Sequence, residues 1–317
     1  MINFFATAQH INPIRNYLMD WSDDLRVQID IATYEGFAAG KMSITAGTII
    51  FGDIERLSHA GIRMGAGLAD AAQEKGRTVL NNPGLVMSKF ELLKKLHQLG
   101  INDFAVYPVG IKPKKWPVFV RSKHDHGGQP PLLHNADELD AEYDRLAALG
   151  VDLDNMMITE YIDVKEKGYH RSYSFMRIGD TYIPRHAHSS DKWIVRGSPV
   201  ELAEERDRHE LDFEEHLHHD HLPLLKPIYD MANIQYGRID YGFADGKLQV
   251  FEINTHPMLV LLKKRVAPER VTRATLMSNR ISAAFNALVP EQEPVLPMLD
   301  FKPSSLDKNV HVARTTR

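Results

Sequence analysis

Residues Tyr236–Pro257 read YGRIDYGFADGKLQVFEINTHP. Apolar and polar residues alternate along both halves of this segment, and Asp245-Gly246 lies between them, which predicts a β-hairpin. Ile239, Tyr241 and Phe243 share one face of the first strand, and Phe251 and Ile253 one face of the second. The opposite faces carry Arg238 and Asp240, then Glu252 and Asn254. Whether these four meet on one surface depends on the turn. A two-residue loop at Asp245-Gly246 sets Asp240 against Phe251 and divides the polar residues between both sides of the hairpin. A three-residue loop, Ala244 to Gly246, pairs Phe243 with Lys247 and Asp240 with Val250, sets Arg238 opposite Glu252, and gathers all four. Gly246 suits the left-handed position of such a loop with its bulge. The three-residue form is the expected one.

Two carboxylates and a side-chain amide oxygen on one rigid surface are hard oxygen donors. They suit Mg²⁺, with Mn²⁺ as an alternative, because such ions take few protein ligands and complete their shell with phosphates and water. The plainer alternative is a surface hairpin with a cross-strand Arg–Glu pair.

Composition narrows the setting. A chain of 317 residues has room for about two domains. The absence of cysteine excludes disulfides, zinc-thiolate sites, iron–sulfur clusters and a thiol nucleophile. A net charge of -4 gives no reason to expect nucleic-acid binding. No apolar run approaches the ~18 residues of a membrane span, and Met1 to Phe5 is too short and uncharged for a signal peptide. No membrane or nucleic-acid partner is expected, and the default is a cytoplasmic enzyme or binding protein.

Upstream, strands are expected at Arg26 to Thr33, Thr48 to Phe51 and Thr78 to Leu80, with a helical pattern from Asp53 that contains Gly61, Gly65 and Gly67. Those glycines lie too late after the strand for a dinucleotide fingerprint and read as close packing or a helix break. Ser88 and Glu91 form a capping-box pattern before a helix that Gly100 stops. Strands follow at Phe104 to Pro108, Val118 to Arg121 and Met156 to Tyr161, with a helix capped by Asn135 and Glu138 between the last two. Ser172 to Ile178 and Thr181 to His186 flank Gly179-Asp180, a hairpin signal. Pro199 to about Leu222 reads as a charged, His-rich helix, and Pro223 as the start of another. From Val289 the chain is Pro-containing and aperiodic, an extended tail ordered only if it packs on the body.

Gly237-Arg-Ile-Asp240 followed by Glu252-Ile-Asn-Thr-His-Pro257 resembles the metal-binding signature of the ATP-grasp superfamily, in form most like carboxylate–amine ligases of the D-alanine–D-alanine ligase and glutathione synthetase type. The resemblance implies that Asp240, Glu252 and Asn254 hold two Mg²⁺ ions against the phosphates of ATP, and that Arg238 steadies the phosphoryl group and the developing negative charge. It assigns Lys89 and Arg121 to the nucleotide. The family has lysine where Arg121 stands, so Lys123 is the alternative there. Asp125-His-Gly-Gly128 takes the place of a small glycine-bearing loop. Ile158-Thr-Glu160-Tyr161-Ile162-Asp163 is similar to the hinge strand, with backbone groups of Glu160 and Ile162 at the adenine edge. Asp163 is the candidate for the ribose hydroxyls, and Glu166 competes with it. Arg171 is placed to reach a phosphate or a substrate carboxylate. Ser189 to Gly197, including Lys192, takes the position of a loop that closes over the nucleotide.

The resemblance covers about residues 80–260. It implies an α/β protein, α+β in the nucleotide region. An N-terminal pre-ATP-grasp-like domain would span residues 1–80, the ATP-grasp region residues 81–290 and the tail residues 291–317. The implied activity joins a small-molecule or peptide carboxylate to an amine through an acyl phosphate, with release of ADP and phosphate. Similar ligases are commonly homodimers. A small-molecule kinase on the same scaffold and a non-catalytic nucleotide-binding protein are the competing readings. His216, His218, His219 and His221 are expected at a solvated helix end, Trp116 and Trp193 in packing, and His256 in a turn before Pro257. His186 and His188 lie near the closing loop as candidate substrate contacts.

Overall fold

Ile2–Ala6, INFFA, is apolar apart from Asn3 and buried along its whole length. Such a strand suits the interior of a parallel sheet covered on both faces. In the computed structural model it is β1 of a four-stranded parallel sheet with β2 (Ile29–Thr33), β3 (Thr48–Phe51) and β4 (Thr78–Leu80), in the order β2-β1-β3-β4. Residues 1–41, 44, 47–124, 130–195, 203–289, 299, 301 and 310 are described. The helices α1 (Asn12–Asp20), α2 (Tyr34–Ala38) and α3 (His59–Glu74) lie between these strands in the chain. The sequence reading did not include β1. It also began β2 too early, since Leu25–Val27 is a 3-10 turn.

The glycines of α3 serve close packing. A Cβ on Gly61 would come within 2.6 Å of the Val310 carbonyl oxygen. That residue of the tail is 1% exposed, and its carbonyl accepts from the Ser58 amide at 3.0 Å. Phe301 stacks on Phe37 at 5.9 Å. These tail residues pack on the N-terminal sheet, while Pro290, Pro294, Pro297 and Pro303 lie outside the described residues.

The connection to the next region runs through Asn81. Its left-handed backbone, φ 60°, follows β4 directly, and its side chain is fully buried. The amide nitrogen donates to the Phe51 and Tyr236 carbonyls at 3.0 and 2.6 Å, and the amide oxygen accepts from the Gln235 and Tyr236 amides at 2.7 and 2.9 Å. Helix α4 (Lys89–Gln98) begins with both hydrogen bonds of the Ser88/Glu91 capping box. A small antiparallel sheet follows, β5-β7-β6, from β5 (Val106–Pro108), β6 (Val118–Ser122) and β7 (Met156–Glu160), with α5 (Ala136–Ala148) capped by Asn135. Leu139 and Leu146 of α5 share a core with Val118, Val120 and Ile158.

The central antiparallel sheet has the order β10-β9-β11-β12: β9 is Tyr169–Ile178, β10 Thr181–Ser190, β11 Tyr236–Ala244 and β12 Lys247–Asn254. A short β8 (Lys165–Glu166) pairs with β9. The hairpin of β11 and β12 corrects the expected turn. Ala244 pairs with Lys247 across a two-residue loop in which Asp245 and Gly246 both have left-handed φ, 51° and 76°. The extra residue sits in the strand instead, as a bulge at Phe251, because Tyr241 pairs with Val250 and Asp240 with Glu252. The bulge restores what a regular two-residue hairpin would have lost, so Arg238, Asp240, Glu252 and Asn254 still share a face.

Helix α6 (Ala203–Asp212) runs through a π-helical turn, Phe213–Leu217, into α7 (His218–Met231). Pro223 and Pro227 lie inside α7, so Pro223 does not begin a new helix. His221 is not at a solvated end. It is 8% exposed, its Nδ1 lies 2.8 Å from the Tyr241 hydroxyl, and it packs on Tyr173, Phe213 and Phe243. The last helix, α8 (Val271–Asn286), was not read from the sequence. Its Ile281 and Phe285 join Phe4, Tyr17, Met176 and Tyr236 in a core between the N-terminal and central sheets. No helix among the described residues is long and apolar enough to cross a membrane.

Candidate functional site

The register of β11 and β12 sets Asp240 opposite Glu252 and Arg238 opposite Asn254. Arg238 grips the Asp240 carboxylate with two bonds of 2.7 Å, from Nε and Nη2. Burial alone would lower the Arg238 guanidinium, but Asp240 and Glu252 outweigh it and hold it raised. Lys89, placed by the capping box at the first turn of α4, brings Nζ to 2.9 Å from Glu252 Oε2. Arg121 of β6 donates from Nη2 to the Phe251 carbonyl at 3.1 Å. The bulge therefore presents a backbone acceptor to a partly buried cation from a different sheet. Burial lowers the Arg121 guanidinium, and Glu252 works against that shift.

Among the described residues, no three His, Cys, Asp or Glu side chains form a group able to hold a metal ion. The donors here are two carboxylates and, two residues beyond Glu252 on the same strand face, the Asn254 amide. Its Oδ1 accepts from the His256 amide at 2.7 Å. This set fits a hard divalent cation that draws its remaining ligands from phosphates and water, as Mg²⁺ does, and gives no soft or nitrogen ligand for zinc or copper.

Asp240 and Glu252, but not Asn254, form one part of the wall of a cavity of about 840 Å³. Lys89, Arg121, Arg238, Asp240 and Glu252 line it at the charged end. Phe119, Tyr161, Ile162 and Trp193 line another part, where Trp193 lies 5.0 Å from Phe119 and 5.7 Å, edge-on, from Tyr161. Trp193 thus packs as expected, but it packs as cavity wall. Burial, with Asp163, pushes the Tyr161 phenol up to about 12, so it stays protonated. Glu160 also borders the cavity, yet its carboxylate is a strut: it accepts from the Ala105 and Lys115 amides, each at 2.9 Å, and from the Tyr107 hydroxyl at 2.7 Å. Arg171 lines the cavity from β9, 4% exposed.

Four of the expected residues do not border it: Lys123, Asp163, Lys192 and Asn254. Lys123 donates to the Asp154 carbonyl at 2.7 Å and lies over the Phe90 ring. Asp163 accepts from the Lys165 amide at 3.0 Å at the exposed start of β8. Glu166, the alternative to it, is also outside the lining. The Lys192 amide closes a turn onto Ser190 Oγ at 3.0 Å. The loop Asp125 to Gly128, and Arg196 and Gly197 of the expected closing loop, lie outside the described residues. His256 is more than a turn residue. Its Nε2 lies 2.6 Å from the His10 carbonyl oxygen and ties the end of β12 to the segment between β1 and α1.

The cavity continues over β10, where Arg185, His186 and His188 line it, with Arg206 and Glu210 from α6 and Arg270 beside α8. His186 and His188 stack at 4.8 Å. Burial, reinforced by Arg238 and Arg270, pushes His188 down to about 4, and burial with Arg185 holds His186 well below its usual range. Both rings are neutral near pH 7. Glu210 is held by Arg270 at 2.7 Å and Arg273 at 3.4 Å. The two histidines were expected here from their place near the closing loop. Arg185 was not singled out; a register shift between Pro184 and His186 brings it to the cavity. Arg121 Nε, Thr159 Oγ1, Ser174 Oγ and His188 Nδ1 are buried with no hydrogen-bond partner among the described residues, and all four residues line the cavity. Unpartnered polar atoms on the lining of a cavity are met by water or by a polar ligand.

The chain is thus a mixed α/β protein in which a parallel N-terminal sheet, a small antiparallel sheet and a central antiparallel sheet accompany a charged cavity. No protein-family model matches it, and no curated protein is found similar to it. Among solved structures it is similar to D-alanine–D-alanine ligase from Bacillus anthracis complexed with ATP, at 15% identity over 90% of this chain and 97% of that one, TM-score 0.47. It is similar to a RimK domain ATP-grasp protein from Sphaerobacter thermophilus, at 13% identity over 89% of this chain and 98% of that one, TM-score 0.49. It is likewise similar to the ATP-grasp ligase PsnB complexed with minimal precursor, at 14% identity over 89% and 99%, TM-score 0.48.

Proposed function

We propose that this chain is a Mg²⁺-dependent ATP-grasp ligase that joins a carboxylate to an amine and releases ADP and phosphate. The observation that carries the reading is the Asp240–Glu252 pair, set in register by the Phe251 bulge and flanked by Lys89, Arg121 and Arg238. Beside it lies an aromatic wall of Phe119, Tyr161 and Trp193. Flat apolar walls suit a base, and clustered fixed cations suit a triphosphate.

Asp240, Glu252 and Asn254 would hold the metal. Bound Mg²⁺ would neutralise phosphate charge during transfer of the γ-phosphoryl group. Lys89 and Arg121 hold positive charge at fixed positions for the phosphates. Arg238, locked by Asp240, offers a preorganised cation to the oxyanion that forms when an amine attacks the activated carboxylate. Glu160 stiffens the strand end whose backbone would meet the adenine edge. These groups are partly buried, which limits the access of water that an acyl phosphate must avoid.

The test incubates wild type and Glu252→Gln with ATP, Mg²⁺ and a small-metabolite extract, followed by untargeted mass spectrometry. A wild-type-only product with the mass of two metabolites less water, together with ADP and phosphate, is the expected result. A wild-type-only phosphorylated metabolite without free phosphate would replace the ligase with a kinase. Absence of calorimetric Mg·ATP binding would remove the nucleotide reading altogether.

A further inference from the structure

A single cross-strand row runs over the cavity face of the central sheet. Glu252 of β12 faces Asp240 of β11, Asp240 faces Ser174 of β9, and Ser174 faces His186 of β10. With strands ~4.8 Å apart, His186 lies about 10 Å across the sheet from Asp240 and about 14 Å from Glu252. Lys89 and Arg121 approach this row from the β12 edge. The β10 edge carries a different set of charges.

Arg185 decides its character. It is 8% exposed, lines the cavity, and donates to the Leu259 carbonyl. Among the described residues no carboxylate forms an ion pair with it. The neighbouring arginines differ in this respect. Arg206 pairs with Asp207, and Arg270 with Asp207 and Glu210. A buried guanidinium without an acid is costly unless something else supplies the charge. Among the described residues neither Ser174 Oγ nor His188 Nδ1 has a hydrogen-bond partner; Ser174 pairs across the sheet with His186, next to Arg185, and His188 Nδ1 lies 3.9 Å from Glu210 Oε1. Met258, Val260 and Leu261, on the segment whose Leu259 carbonyl Arg185 meets, add apolar side chains to the cavity lining.

We propose that the β10 edge of the cavity is a second subsite, and that the substrate activated at Asp240 and Glu252 carries a further anionic group at its far end, which Arg185 binds. The proposal rests on the reading of the Asp240–Glu252 end as the reacting end. The substrate class is an elongated acid with two anionic ends and an apolar middle. The far group is a carboxylate or a phosphate-type anion, since the guanidinium fork suits both.

The test is calorimetry on the full chain with three probes, pimelate, heptanoate and 7-phosphonoheptanoate, and with Mg·ATP titrated separately. Wild type should bind pimelate or the phosphonate at least tenfold more tightly than heptanoate. Whichever of the two binds more tightly names the anion. Arg185→Gln should bring the preferred diacid to the heptanoate level, with Mg·ATP affinity within twofold of wild type. Arg185→Lys, which keeps the charge, should recover part of the preference and guards against a folding defect in the first variant. The proposal is overturned if wild type binds neither diacid better than heptanoate, including the case where none of the three binds. It is also overturned if the preference survives in Arg185→Gln. Loss of Mg·ATP binding in wild type, with an Arg185-dependent preference intact, would sink the nucleotide reading and leave the anion subsite standing.

Discussion

His221 shows how far a single residue's surroundings can depart from its sequence neighbourhood. It sits in a run of histidines and acids, yet its ring is enclosed by Tyr173, Phe213 and Phe243, and burial pushes it down to about 4. His209, also buried, is pushed down to about 3 by burial and by Arg171. The folded state thus keeps both rings neutral, while the unfolded chain protonates them near their ordinary value of 6.5. Between those values the unfolded state binds more protons, so stability is present above about pH 6.5 and is lost as pH falls toward 4. Urea unfolding across that interval should show the decline. His221→Gln keeps a partner for Tyr241 and removes one titrating ring. It should reduce the slope by up to ~1.4 kcal/mol per pH unit. An unchanged slope in the variant would place the pH dependence elsewhere.

At the scale of the element, the β11–β12 hairpin separates what alternation can and cannot reveal. Period-two patterning identified both strands and required one residue to be extra if the four polar side chains were to share a face. It did not say whether that residue lay in the loop or in the strand. Phe251 carries it, and the carbonyl there meets Arg121 of another sheet, a contact between positions 130 residues apart in the chain. Local sequence holds no record of such a partner. The same limit applies to Arg185, which only a register shift in β10 brings to the cavity. Short-range signals fared better: the Ser88/Glu91 capping box was legible because both of its partners are local. The turn itself makes a prediction. Asp245 and Gly246 both occupy left-handed φ, the pattern of a tight two-residue turn that favours Asn or Asp followed by Gly. Asp245→Asn should leave the melting temperature within a degree or two. Gly246→Val should cost about 1–3 kcal/mol through backbone strain. Equal melting temperatures for the two variants would contradict the left-handed turn.

At the scale of the molecule, most of the order of strands and helices between residues 80 and 254 was readable, while β8 and α8 were not. The joint between the N-terminal sheet and the central sheet was not. Asn81 makes that joint: two bonds from its amide nitrogen and two to its amide oxygen connect the ends of β3 and β4 to the start of β11. In sequence, Asn81-Asn82-Pro83 looks like any turn. Its role appears only when β11, some 155 positions later, supplies the partners. Three substitutions dissect the joint. Asn81→Gly keeps the left-handed backbone and loses the four bonds, leaving buried backbone groups unpaired, at roughly 2–4 kcal/mol. Asn81→Ala loses the same bonds and adds about 1 kcal/mol of strain at positive φ. Asn81→Asp keeps an acceptor for the Gln235 and Tyr236 amides, but it turns a buried carboxylate oxygen toward the carbonyls of Phe51 and Tyr236. Acceptor then faces acceptor in a fully buried site. The expected order of stability by chemical denaturation is wild type, Gly, Ala, Asp. If Asp proved more stable than Ala, the amide nitrogen would not be the half of the side chain that holds the two sheets together.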